Sequence, residues 1–214
     1  MLKKFLNHEK GITGLETAII LIAFVVVAAV FAYTTLSAGL FSTQKSQEAV
    51  YSGLKEAQST LELKGNVIAT ASAEGSSGRV KQISFIVSNV LGGEAIDFTA
   101  PTPDSDNVGT ANATSSNKVV INYVDKYQTV NDLYWSVEKL GGSDSDNLLE
   151  NNEKFKVTTG NATTTQGGGN LIDALATDLN INTEFSLIVQ TPVGAVLEIE
   201  RTIPAYMDSI MNLR

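Results

Sequence analysis

The chain has 214 residues and a net charge of −8, from 15 Lys and Arg against 23 Asp and Glu. Nucleic acid is polyanionic and is bound through Lys and Arg, so an acidic chain without a basic stripe excludes it as a partner. Cysteine is absent and His8 is the single histidine. The chain therefore has few of the residues that usually serve as thiol nucleophile, zinc ligand or general base. Its carboxylates show no clustering in the sequence that would indicate catalysis. We expect neither an enzyme nor a required cofactor.

The N-terminus combines basic residues, a Lys-Gly junction and an apolar run. Lys3, Lys4 and Lys10 precede Gly11, and Ala18 to Ala32 contains no polar side chain. A secretory signal is cleaved after its apolar run, but here the only well-marked junction lies before it. A cut at that junction would leave the apolar segment on the mature protein, with the lysines on the cytoplasmic side of the membrane.

This arrangement resembles the class III signal peptides of archaellins and type IV pilins. The resemblance implies that residues 1–11 are a leader, removed by a prepilin-peptidase-like enzyme that cuts between Gly11 and Ile12. Lys10, Gly11 and Ile12 are then the processing residues, and Glu16 becomes the fifth residue of the mature chain, where the family carries a glutamate. The alternative is an uncleaved membrane anchor.

Glu16 lies at the edge of the apolar run, where a carboxylate is costly unless it is paired. Cleavage would create a positive α-amine on Ile12, in the same or a neighbouring subunit, and this amine is the expected partner during assembly. The alternative is that Glu16 remains at the level of the lipid headgroups.

Residues 17 to 44 carry no charge, and the run from Thr17 to Phe41 exceeds the roughly 20 residues that span a bilayer. Apolar side chains on every face predict a helix buried in lipid or among other helices. Val50, Leu54, Ala57 and Leu61 then form one apolar stripe, so we expect the helix to continue to Leu63, with Gly65-Asn66 as its C-cap. The helical domain is predicted to cover residues 12–64.

Period-two patterns separated by turns follow, and they predict an outer domain over residues 65–214. Seven strands at this spacing favour an immunoglobulin-like antiparallel β-sandwich, which gives an α+β protein overall. Trp135 is expected to lie in its core. The last residues, 203–214, fit either one helical turn or a subunit contact. The predicted strands are Val67–Ser72, Val80–Val90, Lys118–Asp125, Leu133–Leu140, Lys154–Thr159, Phe185–Gln190 and Ala195–Ile203.

Two Asn-X-Thr sequons begin at Asn112 and Asn161, within low-complexity stretches at 108–116 and 161–169 that we expect on the surface. The archaellin resemblance implies that such sites are N-glycosylated. The alternative is an unmodified polar loop.

An acidic segment follows Gly142, with Asp144, Asp146, Asn147 and Glu150 offering the oxygen ligands that Ca²⁺ prefers. The spacing is not that of an EF-hand, but the segment resembles one in archaellin outer domains, some of which bind a structural metal ion. Ca²⁺ or another divalent cation is therefore a candidate ligand, with a solvated Asx-rich turn as the alternative.

The archaellin resemblance implies a structural subunit that polymerises with itself, or with paralogues, into an extracellular filament for swimming motility. The resemblance implies an assembly platform and an ATPase as further partners, and contact with the membrane at the precursor stage only. The alternatives are an adhesive archaeal pilin and a membrane-anchored, immunoglobulin-like binding protein.

Overall fold

The computed structural model describes residues 2–58, 60–90, 93–106, 109–160, 170–193 and 196–213; within the first range it describes side chains from Gly14 to Ala57. The chain divides into two compact units, Met1–Ser52 and Gly53–Arg214. The first unit belongs to helix α1, which covers Leu2–Gln58. No proline occurs before Pro101, so nothing in the sequence removes a backbone donor or forces a kink in this helix.

The second unit is built from antiparallel strands, as the alternating patterns predict. A five-stranded sheet has the order β11-β1-β2-β8-β6, and a four-stranded sheet has the order β10-β9-β4-β5. Strands β3 and β7 form a separate pair. In the described residues the strands are β1 (Leu61–Ala71), β2 (Val80–Asn89), β3 (Ile96–Asp97), β4 (Val120–Asp125), β5 (Thr129–Val130), β6 (Trp135–Leu140), β7 (Leu148–Leu149), β8 (Lys154–Thr159), β9 (Glu184–Gln190), β10 (Leu197–Thr202) and β11 (Ile210–Leu213), with a short helix α2 (Leu171–Ala174) between β8 and β9.

The two larger sheets share one hydrophobic core. Phe85 and Val87 of β2 are buried in it, as are Tyr123 of β4 and Leu187 of β9. Alternate residues of each strand point inward because side chains on a strand have a period of two. The α+β prediction of a long helix followed by an antiparallel sandwich is confirmed.

The core position predicted for Trp135 is also confirmed. Its side chain has no exposed area. The ring of Phe98 meets that of Trp135 edge to face, with centroids 5.9 Å apart, and meets the ring of Phe155 in the same way at 5.9 Å. Aromatic pairs favour this geometry, because the positive edge of one ring faces the negative face of the other.

The predicted end of the first helix is wrong. Helix α1 ends at Gln58, and the boundary expected between residues 64 and 65 lies inside β1. Leu61 pairs with Asn89 and Leu63 with Val87 of β2, so these leucines follow strand periodicity. Gly65 has φ +79° and lies at a register shift between Lys64 and Ile68, where it allows a β-bulge and does not cap a helix.

Of the two alternatives for the C-terminal residues, the helical turn is wrong, and the subunit contact stays a prediction. Residues 210–213 form β11, which pairs with β1 from Thr70↔Ile210 to Val67↔Leu213. Met211 and Leu213 are buried, whereas Ile210 is exposed. The alternation of buried and exposed side chains explains why this segment adds a strand to the sheet and not a helical turn.

The loop expected to be exposed over residues 108–116 is partly buried in its described portion. Ala111 is buried, and a Cβ placed on Gly109 would lie 2.4 Å from the backbone nitrogen of Ala174. Tyr134 donates its backbone N–H to the Gly109 carbonyl at 2.9 Å. The loop is therefore packed against the domain at one end, while Ala113 and Thr114 are exposed.

Candidate assembly surface

The surface of α1 is the most apolar exposed surface of the described chain. Every residue from Gly14 to Ala57 is exposed, and the large apolar side chains show fractions between 52% for Leu54 and 74% for Phe24. By length and composition this helix is able to cross a membrane. An exposed apolar surface of this extent requires a lipid or protein partner.

Threonine hydroxyls do not interrupt this apolar character. Thr17 donates to the carbonyl of Gly14 at 3.0 Å, Thr34 donates to that of Phe31 at 2.9 Å, and Thr43 donates to that of Gly39 at 2.8 Å. Each hydroxyl is satisfied by its own helix one turn back, which removes most of the cost of burying it. The helix therefore presents methyl groups at these positions.

The predicted processing residues Lys10, Gly11 and Ile12 belong to α1, and their side chains lie outside the described part. Glu16 is exposed, and among the side chains described it forms no ion pair. The structure therefore does not bring Glu16 together with its predicted partner, the α-amine that cleavage at Ile12 would create. Both assignments stay predictions.

Comparison with known proteins identifies the family. The model of archaeal-type flagellin matches residues 11–201. The chain belongs to the archaeal-type flagellin family. It is 39% identical to "Probable flagellin 1" of Archaeoglobus fulgidus over 98% of each chain, and 39% identical to "Probable flagellin 2" of the same organism over 94% of this chain and 93% of that one.

A solved structure supports the same assignment for the fold. This flagellin is similar to the subunit in the archaeal flagellum of Methanospirillum hungatei strain JF1, with 30% identity and a TM-score of 0.58. The match covers 94% of this chain and 98% of the other. It therefore includes both the helical segment and the strand-rich outer domain.

The first sequon of this flagellin lies in an accessible turn. Oδ1 of Asn112 accepts hydrogen bonds from the backbone N–H of Thr114 at 2.9 Å and from its hydroxyl at 2.8 Å. Asn112 is half-buried, whereas Ala113 and Thr114 are exposed. The side-chain amide and the threonine hydroxyl are thus held together, which is compatible with modification. The second sequon, at Asn161, lies outside the described residues.

The acidic segment forms Asx turns. Oδ1 of Asp144 accepts from the backbone N–H of Asp146 at 2.9 Å, and Oδ1 of Asp146 accepts from that of Leu148 at 2.8 Å. The side-chain amide of Asn147 donates to the Thr99 hydroxyl at 3.4 Å. In the part of the chain that is described, no three Asp, Glu, His or Cys side chains converge as metal ligands. The metal site therefore stays a prediction from sequence.

Sequence reasoning missed the residue that organises this segment. Oε1 of Glu153 accepts from the backbone N–H of Asp144 at 3.0 Å, and Oε2 accepts from that of Glu150 at 3.0 Å. The carboxylate thereby joins two points of the loop that precedes β8. No sequence motif signals this role, because the loop brings together residues nine positions apart.

A second missed network lies after β4. Oδ1 of Asp125 accepts from the backbone N–H groups of Tyr127 and Gln128 at 2.6 and 2.9 Å. Oε1 of Gln128 in turn accepts from the backbone N–H of Ala176 at 2.9 Å. An aspartate that bonds a backbone N–H two residues on is a known turn signal, so the sequence Asp125-Lys126-Tyr127-Gln128 offered a clue to the first contact but not to the second.

Proposed function

We propose that this chain is a structural subunit of the archaeal flagellar filament, that it polymerises with further copies through α1, and that the filament serves swimming. The single observation that carries this proposal is the exposure of the apolar helix over Gly14–Ala57 in a member of the flagellin family. A filament core made of such helices would bury this surface. A structural subunit of a filament needs no catalytic group, so we expect no enzymatic activity.

Membrane and filament are proposed as two successive environments for the same helix. In the precursor, the charge-free run lies in the cytoplasmic membrane, where a helix satisfies every backbone group internally. After cleavage between Gly11 and Ile12, it leaves the bilayer and packs against the helices of neighbouring subunits. Glu16 then pairs with the α-amine of Ile12, in the same or an adjacent copy.

Transfer from lipid to protein gains far less free energy than transfer from water. Burial of ten large apolar side chains is worth about 15–30 kcal/mol measured from water. Measured from lipid the gain is much smaller, because lipid is already apolar, and close packing must supply most of it. We therefore infer that assembly requires a membrane platform and a cytoplasmic ATPase, in addition to the prepilin-peptidase-like enzyme. The ten side chains are Ile19, Ile20, Leu21, Ile22, Phe24, Val25, Val26, Val27, Val30 and Phe31.

The β-sandwich is proposed to face the exterior of the filament, outside the cell. Its described surface carries the Asn112 sequon in an exposed turn, which supports N-glycosylation there. The chain is acidic overall, with a net charge of −8, which favours solubility at an exposed surface.

N-terminal sequencing of the protein isolated from its own cells tests this function. We expect the sequence to begin at Ile12 and the protein to sediment with filaments sheared from the cell surface. Deletion of the gene should abolish swimming, and its return should restore it. A full-length chain found only as single molecules in the membrane fraction would refute the proposal.

Two glycine variants test the cleavage step, one at the junction and one beyond it as its control. Gly11→Val places a β-branched side chain where the peptidase must approach the backbone closely, so we expect uncleaved precursor and no filament. Gly14→Ala lies three residues beyond Gly11, and the added Cβ would meet nothing within 4 Å beyond the adjacent backbone of its own helix. That variant should be cleaved normally, which separates a defect at the junction from a general effect of replacing a glycine.

A further inference from the structure

Two hydroxyl groups in the apolar part of α1 have no hydrogen-bond partner among the described residues. Between Thr17 and Phe41, the side chains able to form hydrogen bonds are Thr17, Tyr33, Thr34, Thr35 and Ser37. The three threonines donate to carbonyls of their own helix. Within the described part of the chain, neither the phenol of Tyr33 nor the hydroxyl of Ser37 forms a hydrogen bond with protein.

These two residues lie on the same face of the helix. Positions four apart are neighbours on the surface of an α-helix, so the Tyr33 phenol and the Ser37 hydroxyl form one small polar spot. Tyr33 is 74% exposed, and Val30 and Leu40, three residues before it and seven after it, are 58% and 57% exposed on the same face. The polar spot is thus bounded along the helix by apolar side chains on both sides.

Burial of this face requires a partner with hydrogen-bonding groups. A buried phenol or hydroxyl that lacks a hydrogen bond loses its water without replacement, and buried tyrosines therefore almost always have a partner. Lipid tails offer none. A second copy of the helix offers the same two hydroxyls in the same apolar surroundings.

The extent of the apolar surface favours a second copy over lipid headgroups as the occupant. The run from Thr17 to Phe41 is about 37 Å long at 1.5 Å per residue, which exceeds the roughly 30 Å of a bilayer core. Leu40 and Phe41 follow Ser37 and remain 57% and 62% exposed. Apolar surface therefore continues past the polar spot, where headgroups and water alone would not cover it.

We propose that the face of α1 carrying Tyr33 and Ser37 contacts the α1 helix of a neighbouring subunit, and that hydrogen bonds of these two hydroxyls fix the axial register between them. This inference rests on the proposed filament function. A uniformly apolar helix slides along its neighbour at little cost, whereas a single polar contact within an apolar seam selects one register. Interhelical hydrogen bonds from small polar side chains stabilise helix pairs in the same way.

The test compares filaments from strains that carry Tyr33→Phe, Ser37→Ala or Thr34→Val in place of the native gene. Thr34→Val is the matched control, because its hydroxyl already bonds the Phe31 carbonyl. Sheared filaments are heated in steps, and the released subunits are measured after sedimentation. We expect Tyr33→Phe and Ser37→Ala to shift the midpoint of release to lower temperature, and Thr34→Val to shift it less.

A second readout is the amount of precursor in the membrane fraction, which we expect to be the same in all strains. A release midpoint equal to that of the wild type for both variants would overturn the inference, as would an equal shift for Thr34→Val. Loss of precursor from the membrane in the Tyr33→Phe strain would also overturn it, because that result assigns the phenol to the lipid interface. If the wild-type chain formed no filament, the proposed function would fail. If the wild-type chain formed filaments but Tyr33→Phe and Ser37→Ala released subunits at the wild-type temperature, this inference alone would fail.

Discussion

Tyr123 donates its hydroxyl hydrogen to Oδ2 of Asp125 at 2.7 Å. The two residues lie two positions apart on β4, so both side chains are on the same face of the strand. Tyr123 is completely buried, and its ring stacks on that of Phe185 with centroids 6.1 Å apart. Because the same carboxylate binds the turn after β4, it joins the sandwich core to that turn.

This carboxylate gives the outer domain a predictable response to acid. Burial raises the pKa of Asp125, but hydrogen bonds from Tyr123, Tyr127 and Gln128 outweigh it, and the pKa lies below the usual value of 3.8. The contribution to stability is therefore present above about pH 4 and is lost as the pH falls through the lowered pKa. Asp125→Asn should reduce the free energy of unfolding by about 1–2 kcal/mol at neutral pH. The free energy of unfolding of this variant should also fall less as the pH is lowered.

The protein has a single tryptophan, so Trp135 fluorescence of the full chain in detergent reports on the unfolding of the outer domain alone. Asp208→Asn is the control, since it removes the same charge from an exposed side chain for which no hydrogen bond is found in the described residues. Equal stability curves for the two variants between pH 2 and pH 7 would contradict the role assigned to Asp125.

Gly109 is predicted to tolerate no side chain. A Cβ there would lie 2.4 Å from the backbone nitrogen of Ala174 and 2.7 Å from its Cα, and backbone atoms cannot move aside as a flexible side chain can. Gly109→Ala should therefore lower the free energy of unfolding by about 1–3 kcal/mol through overpacking. Gly142→Ala, with nothing within 4 Å of the new Cβ, should leave it unchanged. Urea unfolding followed by Trp135 emission measures both, and similar midpoints would disprove the packing argument.

Sequence patterns were sufficient to predict secondary structure where one periodicity continued over many residues. The apolar run of α1 and the strand Lys154–Thr159 were predicted from their spacing, the latter with the bounds observed for β8. The register of a long alternating strand is fixed because one face must be buried. The sandwich could therefore be inferred without any knowledge of which strands pair.

The patterns failed where local sequence supports two structures. Val50, Leu54, Ala57 and Leu61 fit a helical stripe, yet pairing with β2 draws Leu61 into a strand. Strands of two residues, such as Ile96–Asp97, are too short to show an alternating pattern in the sequence. They are recognised only from their pairing with another strand. The bonds of Glu153 to Asp144 and Glu150 depend on the path of a loop, which spacing does not encode.

Glu153 and the predicted metal ligands can be separated by experiment. Glu153→Gln keeps one acceptor oxygen and replaces the other by a donor, so one of two backbone N–H groups loses its partner. We expect a loss of about 1 kcal/mol in the free energy of unfolding. Glu150→Gln alters a predicted metal ligand whose carboxylate forms no hydrogen bond in the described residues, and it should be neutral.

Chelation completes that comparison. Oδ1 of Asp144 and Oδ1 of Asp146 accept backbone N–H groups without a cation, so the loop has hydrogen bonds of its own. We therefore expect the melting temperature of the outer domain, followed by Trp135 emission, to be unchanged in EDTA. A lower melting temperature in EDTA that added Ca²⁺ restores, together with destabilisation by Glu150→Gln, would instead establish the cation site.

The turn at Asn112 leads to a prediction about glycosylation, which two substitutions of Thr114 test. Thr114→Val removes the hydroxyl that both bonds Oδ1 of Asn112 and defines the sequon, so the intact mass of filament subunits should fall by one glycan. Thr114→Ser keeps the hydroxyl and should retain that glycan. Thr163→Val tests the Asn161 sequon independently, and a double variant lacking both hydroxyls should have the mass of the unglycosylated polypeptide. An unchanged mass in Thr114→Val would show that Asn112 is not modified, and the turn would then be a polar loop alone.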